Sequence, residues 1–205
     1  MSLLQGNFSL RRFLVFGPVP TEGELQAALE QDRFTPFQDG VEEERTGWVD
    51  WRNLLITPPE ENWVVQDRFA IFSLRIDTRR VPNALLKTQV ELRLQALMTE
   101  GMAFVGKTAR ISLQDEIKAE LTAKVLPTPK TIDLAWDLRG GILWTTAVST
   151  KAVDLLICGF IKGFGVELQQ LVPMTMAVRL QSELSLDSLL ALDPLDLALE
   201  EVAGE

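Results

Sequence analysis

Ile132-Asp133-Leu134-Ala135-Trp136-Asp137-Leu138-Arg139-Gly140-Gly141-Ile142 is the stretch from which the fold is read. Ile132, Leu134, Trp136 and Leu138 recur at every second position, the pattern of a strand with one apolar face. Gly140-Gly141 supplies a turn, and Ile142 to Val148 returns as a second strand, so an antiparallel hairpin is expected. Asp133 and Asp137 share the opposite face. They superficially resemble the paired carboxylates of a metal-dependent nuclease, but the simpler reading is the wet side of an amphipathic strand.

Downstream of this hairpin, Ser149 or Thr150 caps a helix whose apolar side is Val153, Leu156, Ile157, Phe160 and Phe164, and Gly163 and Gly165 end it. Cys158 lies beside that stripe and reads as a buried, inert thiol. Val166 to Val172 is a short strand. Residues 174–205 are acidic and leucine-rich. One strand and one or two helices are expected there, broken at Asp193-Pro194 and packing as a segment on the region 1–173.

Upstream, two helices in succession form an arm over about 83–126. Pro82-Asn83 opens the first, with Leu86, Val90, Leu94 and Leu97 as its stripe, and Gly101 to Gly106 is a break. Ser112 is the expected N-cap of the second, with Asp115 and Glu116 facing the positive helix end. Leu113, Ile117 and Leu121 are its buried positions, and Pro127 closes it. Before the arm, Trp63 to Val65 and Phe69 to Asp77 read as strands with a turn at Gln66-Asp67. Phe34 to Glu61, which holds Trp48, Trp51 and Pro58-Pro59, reads as a long irregular loop. Phe8 to Phe16 is a strand stopped by Gly17-Pro18. Thr21 and Glu24 form a capping-box pattern for a helix running to about Arg33. Strands and helices in this irregular order define an α+β fold, with mixed or antiparallel sheets and the helix pair as a central arm.

Charge is segregated along the chain. Its 20 Lys+Arg and 29 Asp+Glu leave a net −9, yet residues 75–130 hold 10 basic against 6 acidic side chains, a net +4. Local field rather than net charge attracts phosphate, so Arg75, Arg79, Arg80, Lys87, Arg93, Lys107, Arg110, Lys118, Lys124 and Lys130 are the candidate contacts to a nucleic-acid backbone. The plain alternative is a solvated helix face with local ion pairs, such as Lys87 with Glu91. Arg79, Arg80, Lys107 and Arg110 are favoured because they cluster at helix entries and loops. Trp48 and Trp51, with Phe34 and Phe37, could stack on bases, although such aromatics more often pin a loop to a core. Glu42-Glu43-Glu44, with Asp39 or Asp50, could be read as metal ligands, but three consecutive carboxylates cannot all face one ion, and a solvated loop is the simpler reading.

The chain has no histidine and one cysteine. Ser-His-Asp and Cys-His catalysis and an ordinary zinc site are therefore excluded, and so is an internal disulfide. No apolar run is long enough for a membrane span. Met1 to Gly6 lacks the pattern of a signal peptide. A cytoplasmic, reducing location is expected, with no cofactor and no small-molecule substrate.

Phe13-Leu14-Val15-Phe16, Phe34-Thr35-Pro36, Gly47-Trp48-Val49, Val81-Pro82 with Lys87 and Glu91, Ser112-Leu113-Gln114-Asp115-Glu116, Val125-Leu126-Pro127, the strand pair around Trp136 and Gly141, and Val172-Pro173 follow one another in an order that resembles the bacterial recombination-associated RdgC family, whose members are sometimes labelled exonucleases. The resemblance spans roughly residues 8–173. It implies a homodimer, ring-shaped in the family, that encloses double-stranded DNA without sequence preference and restrains RecA-dependent strand exchange, associated with the nucleoid and without catalytic activity. On that reading the DNA contacts expected from the basic arm are Arg75, Arg79, Arg80, Lys87, Lys107, Arg110, Lys118, Lys124 and Lys130. Two features depart from the family. Members are typically longer at the C-terminal end, where a further part helps close the ring, and Gln114 stands where the family pattern prefers lysine. The alternative is an interaction protein that keeps the fold and has lost DNA binding.

Overall fold

A computed structural model describes residues 9–38, 40–57, 64–65, 68–99, 106–180 and 185–191. Its strands are β1 (Arg11–Phe16), β2 (Glu44–Val49), β3 (Val64–Val65), β4 (Phe69–Thr78), β5 (Thr128–Asp137), β6 (Ile142–Thr145) and β7 (Glu167–Gln170). Its helices are α1 (Glu22–Gln31), α2 (Asn83–Thr99), α3 (Lys107–Lys124), α4 (Thr150–Phe164), α5 (Pro173–Leu180) and α6 (Leu186–Leu190). The strands form one antiparallel sheet in the order β2-β4-β5-β6-β1-β7, with β3 also pairing on β4. The fold is α+β, as the order of elements implied.

The hairpin is present: Gly141, at φ 61°, makes the turn, and Trp136 pairs with Leu143. The returning strand is shorter than its apolar run, ending at Thr145. One face of the sheet receives α4. Ser149 caps this helix by accepting from the Ala152 N–H, and Gly165 ends it at φ 65°, in the left-handed region glycine tolerates. Gly163 lies inside the last turn. Phe160 packs between Phe72 and Trp136, with the Trp136 centroid 5.5 Å away, and Trp48 meets Phe72 edge-on at 5.2 Å. These rings, with Phe13, Leu25, Leu29, Leu134, Leu143 and Leu156, are the core. The α1 capping box forms as read, with Thr21 N–H donating to Glu24 at 2.8 Å.

Several expectations are corrected. The interval read as irregular contains β2, which pairs Gly47 with Arg75 and Trp48 with Leu74. Its first half is polar and its apolar residues, Trp48 and Val49, are adjacent, so no alternation marks it. Ser112 is not an N-cap. The helix α3 begins five residues earlier, behind Gly106, whose φ of −61° and ψ of 158° end the extended chain without a side-chain cap. No strand occurs after β7 among the described residues. Cys158 is exposed, because it sits on the solvent side of α4 beside the stripe. Phe8, Asp39, Pro58-Pro59, Trp63, Gln66-Asp67, residues 101–105 and Asp193-Pro194 lie outside the described residues.

Asp133 and Asp137 are not on a wet face. Their side of the sheet is closed by polar pairing, and Asp77, Asp133 and Asp137 are 2%, 4% and 2% exposed. Ser73 Oγ donates to Asp133 at 2.7 Å. Arg68 donates to both Asp137 oxygens, at 3.1 and 2.6 Å, and the Arg139 and Gly140 N–H groups add two more bonds. The Arg68 hydrogen bonds outweigh the opposing effect of burial and hold the Asp137 carboxyl below the usual aspartate range.

Candidate nucleic-acid interface

β4 and β5 pair over ten residues, from Phe69 with Asp137 to Thr78 with Thr128. The arm is therefore an insertion at the end of one long hairpin. Its helices hold 17 and 18 residues, each roughly 25 Å long at 1.5 Å per residue. They pack on each other through Leu86, Val90 and Ile117, with Val81, Leu94, Leu113 and Leu121 around them, a cluster separate from the main core. Only one stripe of each helix is used this way, so the remaining faces meet water.

The ten basic candidates fall into distinct environments. Arg75 is built into the sheet: its guanidinium donates to both Asp77 oxygens at 2.7 and 2.8 Å and to the Leu54 carbonyl at 3.0 Å, and lies 4.2 Å over the Phe34 ring. Arg79 braces the root of the arm. It donates to the Gly40 carbonyl at 3.1 Å and covers Phe37 at 4.3 Å, and its backbone N–H donates to the Glu43 carbonyl at 2.8 Å. Arg80, Lys87, Arg93, Lys107, Arg110, Lys124 and Lys130 are exposed and form no ion pair among the described residues. The Lys87–Glu91 pair does not form. Lys118 meets Glu43 at 2.5 Å, and that hydrogen bond, with the carboxylate's charge, raises the Lys118 pKa.

The arm divides its charges between two flanks. Lys107, Arg110, Gln114 and Lys118 are spaced three, four and four residues apart, which aligns them along one side of α3. Lys87 and Arg110 line one groove between the helices, together with Glu91 and Gln114. The opposite groove holds Arg93 and Lys124 with Glu116 and Glu120, and its charges balance. The structure thus brings Lys87, Lys107, Arg110 and Lys118 to one side, puts Arg93 and Lys124 on the other, and leaves Arg80 and Lys130 at the base.

The stacking candidates separate as well. Trp48 and Phe34 are buried in the core, at 1% and 2% exposure, and present no face to a base. Phe37 is covered by Arg45 and Arg79, and Trp51 by Arg52. Glu42, Glu43 and Glu44 face three different cations, Arg45, Lys118 and Lys151. Asp50 is fully buried. Burial pushes its pKa up, but hydrogen bonds from Arg52 and its charge win and hold it low. Among the described residues no group of three His, Cys, Asp or Glu side chains is placed to hold a metal ion. Glu43, which sits on the cationic side of the arm, was not legible as a partner of the arm: 75 positions separate it from Lys118.

An antiparallel sheet with a two-helix insertion, cationic along one flank, defines an α+β protein with an exposed helical arm. A family model described as "Putative exonuclease, RdgC" matches residues 10–186. The chain belongs to the RdgC family, a family of recombination-related proteins. No curated protein matches it. Among the described residues no helix is long and apolar enough to cross a membrane.

Proposed function

We propose that this protein is a non-enzymatic, sequence-independent double-stranded-DNA-binding protein of recombination. It works as a homodimer in the cytoplasm, associated with the nucleoid, and restrains RecA-type strand exchange. The observation that carries the reading is the cationic flank: Lys87, Lys107, Arg110 and Lys118 on one side of a protruding helix pair, with Arg80 at its base. Such a stripe takes its free energy from counterion release along the phosphates and reads no base. Arg75 and Arg79 are braces of the arm's root rather than phosphate contacts. Neither Asp133 nor Asp137 presents a free carboxylate edge to a substrate, since Ser73 engages the first and Arg68 the second.

Binding of a labelled duplex of about 40 base pairs across a salt series tests this, with a Lys87→Glu/Arg110→Glu variant alongside. Affinity that falls steeply with salt, and a shallower slope in the variant, is the expected result. Incubation of the same duplex with Mg²⁺ or Mn²⁺ tests the absence of nuclease activity. Absence of binding by the native protein at low salt would favour the second reading, an interaction protein of RdgC fold, for which the net charge of −9 speaks.

A further inference from the structure

We propose that the acidic segment 40–44 is a built-in competitor for DNA: Glu43 occupies the Lys118 ammonium as a phosphate would, and so holds the arm's affinity down. This inference rests on the DNA-binding reading above. Four contacts carry it. The Glu43 carboxylate meets Lys118 at 2.5 Å, at the end of the Lys107–Arg110–Gln114–Lys118 stripe. The Glu43 carbonyl accepts from the Arg79 N–H at 2.8 Å, and the Gly40 carbonyl accepts from Arg79 Nη1 at 3.1 Å. The Arg79 guanidinium in turn rests on Phe37, just before the segment. One arginine at the arm's root therefore fixes the segment from both ends, and its position delivers one carboxylate to the cationic flank.

Neighbouring carboxylates are spent elsewhere, Glu42 on Arg45 and Glu44 on Lys151, so Glu43 alone faces the arm. The pair is open to water, with Lys118 at 48% and Glu43 at 55% exposure. An exposed ion pair of this kind is weak enough for a polyanion to displace. Displacement costs the Glu43–Lys118 pair and leaves the Glu43 charge beside the duplex, and both effects lower affinity until Glu43 is neutralised.

The test uses the full chain with duplex DNA at low and moderate salt, in the native protein and in the Glu43→Gln, Glu42→Gln, Lys118→Gln and Glu43→Gln/Lys118→Gln variants. Glu43→Gln is expected to bind about two- to five-fold tighter than the native protein, the range an exposed pair supports, and most of that gain should vanish in the Lys118→Gln background. Glu42→Gln carries the same change of net charge without touching the arm and should leave affinity unchanged. Native binding that Glu43→Gln leaves unchanged or weakens would overturn the competitor and keep the DNA reading. An equal gain in Glu42→Gln would overturn it too, as a mere effect of net charge. No binding by the native protein or by Glu43→Gln would overturn both readings, and binding by Glu43→Gln alone would support the competitor while overturning DNA binding by the native protein.

Discussion

Phe34 stands where a side chain at Gly47 would go: a Cβ on Gly47 would lie 2.3 Å from Phe34 Cα and 2.5 Å from its backbone nitrogen. The close approach follows from a parallel bridge between the two backbones, Arg33 opposite Trp48. Phe34 N–H donates to the Trp48 carbonyl and Trp48 N–H to the Asp32 carbonyl, each at 3.0 Å, so the chain leaving α1 runs alongside β2. Because the obstacle is backbone, rotamer changes give no relief. Gly47→Ala should destabilise the fold by about 3 kcal/mol, read as a lower midpoint in urea. By contrast Gly165→Ala, which meets no neighbour and carries only the strain of φ 65°, should cost about 1 kcal/mol.

Asp137 should impose an acid limit on stability. Its folded pKa lies below the unfolded one, chiefly through Arg68. The stabilisation is therefore complete above about pH 4, the ordinary aspartate value, and is lost as pH falls below it toward the folded pKa. Asp137→Asn should lower stability at neutral pH by about 1 to 3 kcal/mol and shrink the loss between pH 5 and pH 3. Denaturant midpoints taken at those pH values check it, and an unchanged acid limb in the variant would assign that limb to other carboxylates.

Ile117→Ala should loosen the arm and spare the sheet. Ile117 is buried at the centre of the small seam formed with Leu86 and Val90, and its truncation should cost about 2 to 4 kcal/mol. Amide exchange should rise across 83–124 while β4 and β5 stay protected, because the two clusters share no side chain. Faster exchange throughout would show that arm and sheet open as one unit.

Gln114→Lys should strengthen duplex binding. Gln114 interrupts the cationic stripe between Arg110 and Lys118. Adding the charge should steepen the salt dependence by about 0.9 in the log–log slope. A slope that does not move would place the duplex away from this flank.

Cys158 should react with a thiol reagent in the native protein, since it is exposed. Labelling that waits for denaturation would contradict its position on α4.

What the sequence disclosed depended on how local the signal was. Thr21 and Glu24 sit three residues apart and bond each other, so the start of α1 was readable, as were the turn at Gly140-Gly141 and the opening of α2 at Asn83. Ser112 misled because Ser followed by Asp115 and Glu116 has the composition of a helix start, whereas Gly106, the true cap, bonds through no side chain. The strand β2 was hidden because its pairing with β4, rather than its own pattern, makes it a strand. Asp133 and Asp137 alternate like exposed residues, and Ser73 and Arg68, distant in the chain, are what allow them to be buried. Of the candidate interface, the spacing 107-110-114-118 was legible in principle. The withdrawal of Arg75 to Asp77 and Phe34, and the meeting of Glu43 with Lys118, required the folded chain.

The place of β1 has a consequence for synthesis. This strand lies between β6 and β7, so the first strand among the described residues has both of its neighbours more than 120 residues further along the chain. At roughly 5 to 20 residues per second, Phe13 and Leu14 spend on the order of ten seconds without their sheet partners. Over that interval β4 and β5 can already form their ladder around the arm. Until β6 and β7 have been made, the apolar residues of β1 have no strand to pair with.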